Sequence, residues 1–512
     1  MQDSVIILDF GSQYTQLIAR KIRKLGVFSE IHPYSLSIQK IKALNPRALI
    51  LSGSPFSIVH TDAPKPDQGI WDLGIPILGI CYGMQMVAEH FGAHVVYAPE
   101  REYGKAELKI VQDDPLLDGI ESDAQIWLSH ADKVQTLSPE LVVLASTHGS
   151  AHAAIKHRNL PIYALQFHPE VHHSLCGKVI LENFLFRIAG LKAAWNAGSF
   201  SSECISKIRE QVGDDKVILG LSGGVDSSVS AAMLYKAIGT RLLPIFVDTG
   251  MMRFQEASRV QEMFRSFPDL KINFVDASAL FLSRLEGVSD PEQKRKIIGA
   301  TFIEIFDQEA AKFPDAKYLA QGTLYPDVIE SVSFAGGIPV TIKSHHNVGG
   351  LPEDMKLKLI EPLRELFKDE VREVGKALNL PDEFVMRHPF PGPGLAVRIL
   401  GPIDAEKVRI LQAADEIFIQ ELRANKLYHT TWQAFAVLLP IRSVGVLNDE
   451  RTYEQVCALR AVNSVDGMTA EVTQFPWDFL MMVSRRICNE VKGISRVVYD
   501  ISSKPPATIE WE

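Results

Sequence analysis

The sequence has little cysteine and none of it paired. Cys81, Cys176, Cys204, Cys457 and Cys488 are scattered, odd in number and without a C-x-x-C spacing. That argues against a disulfide framework and against a thiolate zinc site, and a reducing cytoplasmic setting is expected. Long apolar runs are also missing. None approaches the roughly 20 residues that span a bilayer, so no membrane partner is expected. The opening residues, Met1 to Phe10, lack the basic region that precedes a signal peptide. Nor is there a basic excess: the net charge of −9 gives no reason to expect nucleic acid as a partner. What is present is ordinary for a folded chain, with 46% hydrophobic and 22% charged residues. A chain of 512 residues leaves room for roughly three domains.

The most familiar phosphate motif, G-x-x-x-x-G-K-[ST], is absent as well. One stretch nevertheless has the same physics. Lys216-Val-Ile-Leu-Gly-Leu221 predicts a short buried strand, and Ser222-Gly223-Gly224 a tight turn. Val229, Ala232, Met233 and Ala237 then fall at helical spacing. A strand that turns through glycines into a helix N-terminus presents backbone N–H groups and the positive end of the helix dipole, which suits a phosphate. Asp226 would repel that phosphate. It is therefore either a helix cap or a carboxylate that works through a bound cation.

Earlier in the chain, Val5 to Phe10, Ala48 to Gly53 and Ile77 to Ile80 read as buried strands, with a helix over Gln13 to Leu25. Such alternation predicts a doubly wound parallel sheet with its sites at the carboxyl ends of the strands. Gly79-Ile-Cys-Tyr-Gly83 puts Cys81 on a sharp strand-to-helix turn, where a helix N-terminus favours thiolate. The plain alternative is a small buried cysteine packed between glycines. Gln166-Phe-His-Pro-Glu170 supplies His168 as a base and Glu170 to orient its imidazole. Gly190 to Phe200 is small and polar and reads as a linker.

The βα alternation resumes from Ser202, with further strands over Leu242 to Gly250, Lys271 to Asp276 and Ala316 to Gly322. Leu359 to Leu378 reads as an amphipathic helical region interrupted near Pro362, with its charges on a solvated face. Pro389 to Gly394 predicts a rigid turn. Beyond it come helices over Ile403 to Asn425 and Trp477 to Lys492, and strands over Trp432 to Pro440, Ser443 to Val446 and Ala470 to Gln474. The expected fold is α/β: two doubly wound parallel-sheet domains, residues 1–192 and 193–387, followed by a smaller α+β domain, residues 388–512.

Cys81, His168 and Glu170, in this order and at this separation, resemble the class I glutamine amidotransferases. Ser222-Gly-Gly-Val-Asp-Ser227 resembles the loop of the ATP pyrophosphatase (PP-loop) superfamily. Both in one chain are similar to the glutamine-hydrolysing GMP synthetases. So are Gln321 to Glu330, Ser344 to Pro352, Arg387 to Leu395 and Lys504 to Glu512. The resemblance implies a reaction in which xanthosine monophosphate (XMP), ATP and glutamine give GMP, AMP, pyrophosphate and glutamate through adenylyl-XMP.

For the glutamine site it implies Cys81 as nucleophile, oxyanion donors at the backbone of Gly53 and Tyr82, and Gln85, Ser129 and His130 at the amino-acid end of glutamine. For ATP it implies Leu221, Ser222, Gly223, Gly224, Val225, Asp226, Ser227 and Ser228, with Mg²⁺ on Asp226. Leu221, Val247 and Phe302 would line the adenine pocket, although all three are equally at home in a core. For XMP it implies Arg295, Gln433, Lys504, Ile509 and Glu510. The run Lys294-Arg-Lys296, taken alone, reads as a basic helix face.

His345 and His346 with Lys343 read as cationic contacts to nucleotide phosphate, because adjacent histidines rarely converge on one metal. A homodimer through the last domain is implied, and the apolar Ile509-Glu-Trp511 is expected to dock. The PP-loop alone would also suit NAD synthetase, asparagine or argininosuccinate synthesis, or tRNA thiolation. A nucleotide sensor built on a dead enzyme is the reading from another class. The amidotransferase in the same chain argues against the enzymes, and intact Cys81, His168, Glu170 and Asp226 argue against the sensor.

Overall fold

The computed structural model describes residues 3–267, 269–331, 357–447, 450–464, 467 and 469–512. Lys343, His345, His346 and the Ser344 to Pro352 stretch lie outside the described residues. The described residues form two compact units, one of residues 3–199 with 328–331 and one of the other residues from Phe200 onward.

The first unit is built on a nine-stranded sheet. Its strands are β1 (Ser4–Asp9), β2 (Phe28–Pro33), β3 (Ala48–Leu51), β4 (Ile77–Ile80), β5 (His94–Ile110), β6 (Ala124–Thr136), β7 (Leu141–Ser146), β8 (Ala154–His157) and β9 (Ile162–Leu165). The order is β2-β1-β3-β4-β9-β8-β7-β5-β6. From β2 to β9 every pairing is parallel. The all-apolar β3 and the Ile-Leu-Gly-Ile of β4 are buried throughout, as central parallel strands must be. Beyond β9 the sheet continues through antiparallel pairings. Of those strands, β5 and β6 escape the sequence reading because they mix charged and apolar residues and lack a continuous apolar run, whereas β7, Leu-Val-Val-Leu-Ala-Ser, has such a run and was passed over.

The second unit holds two sheets. β10 (Lys216–Gly220), β11 (Leu242–Asp248), β12 (Asn273–Asp276), β13 (Ala316–Ala320) and β14 (Lys358–Ile360) form a parallel sheet in the order β12-β11-β10-β13-β14. The strand order reverses at β10, so the loop after it opens at a topological switch point. β15 (Gln433–Leu447), β16 (Glu450–Asn463), β17 (Glu471–Val472) and β18 (Ile494–Asp500) form the other sheet, mostly antiparallel. The Ala405–Ala424 and Trp477–Glu490 helices pack on it. One apolar core runs through both sheets, from Ile218 and Val247 through Leu395, Ile399 and Phe418 to Ala436, Cys457 and Val483.

Four local expectations change. Lys358–Ile360 is an edge strand rather than helix, because Ile360 completes the parallel sheet, and the helix spans only Lys368–Ala377. Trp432 to Pro440 and Ser443 to Val446 join into the single strand β15, with a register shift between Leu438 and Arg442. The linker stops short of Phe200, since a helix begins at Ala197. Its start is pinned: the Ala194 and Trp195 N–H groups donate to the Gly26 carbonyl, and the Trp195 ring lies 4.9 Å from Phe28. Finally, the Pro389 to Gly394 turn is docked. Leu395 N–H donates to Met251 O, and Gly394, at φ 65°, lies so close that a Cβ there would sit 2.2 Å from that oxygen. All five cysteines are free. Among the described residues no helix is long and apolar enough to cross a membrane.

Candidate active site

Three adjacent parallel strands bring the amidotransferase residues together. β4 lies between β3 and β9, with Leu51 opposite Gly79 and Ile80 opposite Leu165. The loops after these strands carry Gly53, Cys81 and His168, so sites far apart in sequence meet at one sheet end. Cys81 begins the turn into the Tyr82–His90 helix with φ 53° and ψ −102°, a conformation rare outside glycine. Its N–H donates to Leu165 O at 2.7 Å, and its carbonyl accepts from Met84 and Gln85.

The flanking glycines are sterically required. A Cβ at Gly79 would lie 2.5 Å from Gly83 O, and one at Gly83 would lie 2.4 Å from Leu51 O. The close-packing reading of these glycines and the elbow reading of the cysteine therefore describe the same turn.

His168 and Glu170 are 3% and 1% exposed, and Cys81 is 5% exposed. His168 Nδ1 and Glu170 Oε1 are 2.6 Å apart. Burial alone would push the imidazole toward its neutral form. The Glu170 carboxylate and the Cys81 sulfur outweigh that and hold the His168 pKa well above the usual histidine value. The ring is boxed in further. Gly53 backs it so closely that a Cβ there would lie 3.2 Å from Cε1, and Tyr14 meets it edge-on at 5.0 Å. Ser174 Oγ donates to the His168 carbonyl at 2.6 Å.

Tyr82 is the first residue of its helix, so its N–H has no partner in the helical ladder. Its hydroxyl donates to Pro64 O at 2.9 Å. The Ser129 to Asp132 segment on β6 lies over the nucleophile, with Ser129 O 3.7 Å from Cys81 Sγ. Gln85 Nε2 donates to Asp132 O at 3.1 Å, and His130 Nδ1 donates to the same oxygen at 3.0 Å. Burial holds the His130 pKa down to about 4, so it is neutral at pH 7. Gln85, Ser129 and His130 are thus gathered at the nucleophile.

The second unit presents the glycine turn at the switch point. Ser222 and Ser227 hydroxyls are 3.0 Å apart, Ser227 Oγ donates to Gly224 O, and Gly224 N–H donates to Ser222 Oγ. Gly223 has φ 73° and packs on Val260, where a Cβ would sit 2.8 Å from Cγ2. Val225 opens the Val225–Ile238 helix and Asp226 stands in its first turn. Asp226 Oδ2 is 3.4 Å from Lys368 Nζ, while Oδ1 is buried without a partner. Ser228 Oγ is likewise unpartnered, as are Gln321 Oε1 and Thr323 Oγ1 on the loop that abuts Asp226. Leu221 and Val247 are buried, and Phe302 is half-buried with its ring 6.2 Å from Phe306. Val247 lies in the shared core, Phe302 packs against it and Leu221 is buried, so all three satisfy the plain core reading.

The residues expected at XMP cluster around the 500–512 segment, which docks as anticipated. Ile509 is buried with Phe435, Val437 and Val462. Gln433 Nε2 donates to Glu510 Oε1 at 2.7 Å, and Arg398 grips the same carboxylate at 2.8 and 3.0 Å. Lys504 Nζ donates to Gly467 O at 2.7 Å. Arg295 Nη2 donates to Glu512 O at 2.6 Å. The basic-face reading of the 294–296 run fails at Lys294, which is fully buried because it turns inward to Glu512.

Three family models match the chain. Residues 6–188 match the family model described as glutamine amidotransferase class-I, and residues 200–273 the one described as NAD synthase. Residues 420–511 match the one described as GMP synthase C terminal domain. Across its full length the chain is 57% identical to the glutamine-hydrolysing GMP synthase of Christiangramia forsetii, in an alignment covering 100% of each chain. The chain belongs to the glutamine-hydrolysing GMP synthases. Those of Nitratiruptor sp. and Brachyspira hyodysenteriae are each 56% identical to it, and at least 99% of each chain is aligned.

A GMP synthase is a ligase, and here a glutamine amidotransferase is joined to an ATP-using pyrophosphatase domain. Several residues that the structure sets against the expected site positions escape sequence reasoning. Ser12, whose Oγ stands against Gly53, and Tyr14 follow β1, and the rule that places sites at strand carboxyl ends could have found them. Arg387 donates to the Gly223 carbonyl and pairs with Glu256, and Lys368 faces Asp226. Both cations come from distant segments, and no local pattern marks them.

Proposed function

We propose that this GMP synthase makes ammonia at Cys81 and spends it on XMP adenylylated at the 222–228 loop. The Cys81 thiolate attacks the glutamine side-chain amide carbon, and the Gly53 and Tyr82 N–H groups receive the charge that builds on oxygen. His168, charged beside Glu170, gives its proton to the departing ammonia. It then takes a proton from the water that hydrolyses the γ-glutamyl thioester. Gln85, Ser129 and His130 hold the amino-acid end of glutamine. The observation that carries this reading is the buried 2.6 Å His168–Glu170 pair beside a cysteine held at a strained elbow.

At the second site Ser222, Gly223, Gly224, Val225, Ser227 and Ser228 cradle the pyrophosphate of ATP, and Leu221, Val247 and Phe302 face the adenine. The XMP C2 oxygen attacks the α-phosphorus and pyrophosphate leaves. Ammonia then displaces AMP from C2 to give GMP. The unpartnered Oδ1 of Asp226 at the mouth of the cradle fits Mg²⁺, which is commonly held by one or two carboxylates together with substrate phosphates. When bound, Mg²⁺ offsets charge on the pyrophosphate. Arg295, Gln433, Lys504, Ile509 and Glu510 receive XMP. We assign functional boundaries near residues 192 and 387, a homodimer formed through the last domain, and a cytoplasmic site of action.

One experiment tests the division of labour: GMP formation with amide-¹⁵N glutamine, XMP, ATP and Mg²⁺. Cys81→Ala is expected to abolish ¹⁵N transfer yet retain GMP synthesis from ammonium chloride. Asp226→Asn is expected to lose AMP formation while glutamine hydrolysis persists. Loss of ammonium-driven synthesis in the first variant, or retained AMP formation in the second, would refute the assignment.

A further inference from the structure

Lys294, Arg398 and Arg460 are the three fully buried cations among the described residues, and all three grip the same short segment. Arg398 holds the Glu510 carboxylate with two nitrogens. Arg460 donates to the main-chain oxygens of Ser502, Thr508 and Ile509. Lys294 Nζ donates to Glu512 Oε2 at 2.5 Å, Ile399 O at 2.7 Å and Ala396 O at 3.2 Å. Arg398 and Arg460 lie in the part of the chain that contains the segment. Lys294 reaches it from the Pro291–Ala310 helix, more than two hundred positions away in sequence.

We propose that Lys294 is a positioning residue for XMP, acting through Glu512 to register the 502–512 segment against the helix that carries Arg295. This rests on the reading that Arg295, Lys504, Ile509 and Glu510 contact XMP. An ammonium has three N–H donors, and here all three are taken by protein oxygens. With no exposure and no donor to spare, Lys294 has nothing to offer a ligand directly. Its neighbour Arg295 bonds the Glu512 main-chain oxygen at 2.6 Å. One turn of helix therefore holds one residue of the segment by both side chain and main chain.

Stability alone does not account for a buried ammonium. Taking such a group out of water is unfavourable, and a well-packed apolar pair in its place is often as stable or more so. What an apolar pair lacks is a fixed partner and a fixed distance. The Lys294–Glu512 contact supplies both, and it sets where Ile509 and Glu510 stand relative to Arg295.

The test uses the full chain and drives GMP synthesis with ammonium chloride, so that the amidotransferase site is bypassed. Lys294→Met, Glu512→Leu, the double variant and Lys504→Ala are compared for KM of XMP, KM of ATP and melting temperature. Each single variant is expected to raise KM for XMP about tenfold and to leave KM for ATP within about twofold. The double variant is expected to melt near the parent temperature, because no buried charge is left unpaired. Its KM for XMP should be raised no further than in either single variant. If a single variant fails to fold, the double variant carries the test.

An unchanged KM for XMP in the double variant, or equal rises for XMP and ATP, would overturn the proposal. Lys504→Ala separates the two failures. If it raises KM for XMP while the double variant does not, only the role of Lys294 falls. If neither moves it, the placement of XMP falls as well.

Discussion

At Cys81 the main chain is held at φ 53° and ψ −102°, and the group that makes this useful follows the neighbouring strand β9, the His168–Glu170 pair. The buried imidazole stays protonated because the Glu170 carboxylate and the Cys81 sulfur overcome its desolvation. A histidine whose folded pKa is raised contributes stability that is complete below about pH 6.5, and loses it as pH rises through the folded value. Glu170→Gln should therefore lower the His168 ring titration in an NMR pH series and flatten that part of the stability profile. Glutaminase turnover should fall on the order of a hundredfold, since base orientation is lost. An unmoved titration would show that Glu170 does not set the charge. The grouping of Cys81, His168 and Glu170 was legible in the sequence because these residues stand in distinctive turns, Gly-Ile-Cys-Tyr-Gly and Phe-His-Pro-Glu. Lys294 was not legible. Helical periodicity cannot tell a solvated lysine from one that turns inward when its partner, Glu512, is so distant.

Among the elements, the turn that carries His168 and Glu170 depends on the helix behind it. Gly177 opens the Gly177–Glu182 helix so near the turn that a Cβ there would lie 1.9 Å from Pro169 O. Gly177→Ala must displace Pro169, which stands between His168 and Glu170, the base and its orienting carboxylate in the proposed mechanism. It should cost about 2–3 kcal/mol by denaturant unfolding of the amidotransferase unit, with loss of glutaminase and retention of ammonium-driven synthesis. Wild-type glutaminase in this variant would mean that the turn can move without consequence. The parallel strands β1, β3 and β4 were legible at this scale because burial on both faces demands continuous apolar runs, as in Ala48-Leu-Ile-Leu51, whereas the parallel β2, Phe-Ser-Glu-Ile-His-Pro, has no such run and was missed. The antiparallel β5 and β6 were not, because each long strand mixes charged and apolar positions and meets its partner across a distant stretch of chain. β14 failed for the opposite reason: three residues are too few to show a period.

For the whole molecule, the distal half of the β15–β16 ladder leaves an apolar face open. Val444 pairs with Tyr453, and Val446 lies two residues along on the same face, with Val446 74% and Tyr453 60% exposed. That face fits the homodimer proposed above. Val446→Glu combined with Tyr453→Lys should shift sedimentation from dimer to monomer without lowering the melting temperature, whereas an unaltered dimer would move the interface elsewhere. The core shared between the two sheets of the second unit, from Ile218 to Val483, bears on how such a chain can be divided. Fission into two polypeptides after Ser199 keeps that core and the one around Leu49, Tyr82 and Ile155 each in a single product. A break at residue 388 would instead deal the faces of one apolar interior to two separate chains. The second unit thus keeps its interior whole only when it stays one polypeptide.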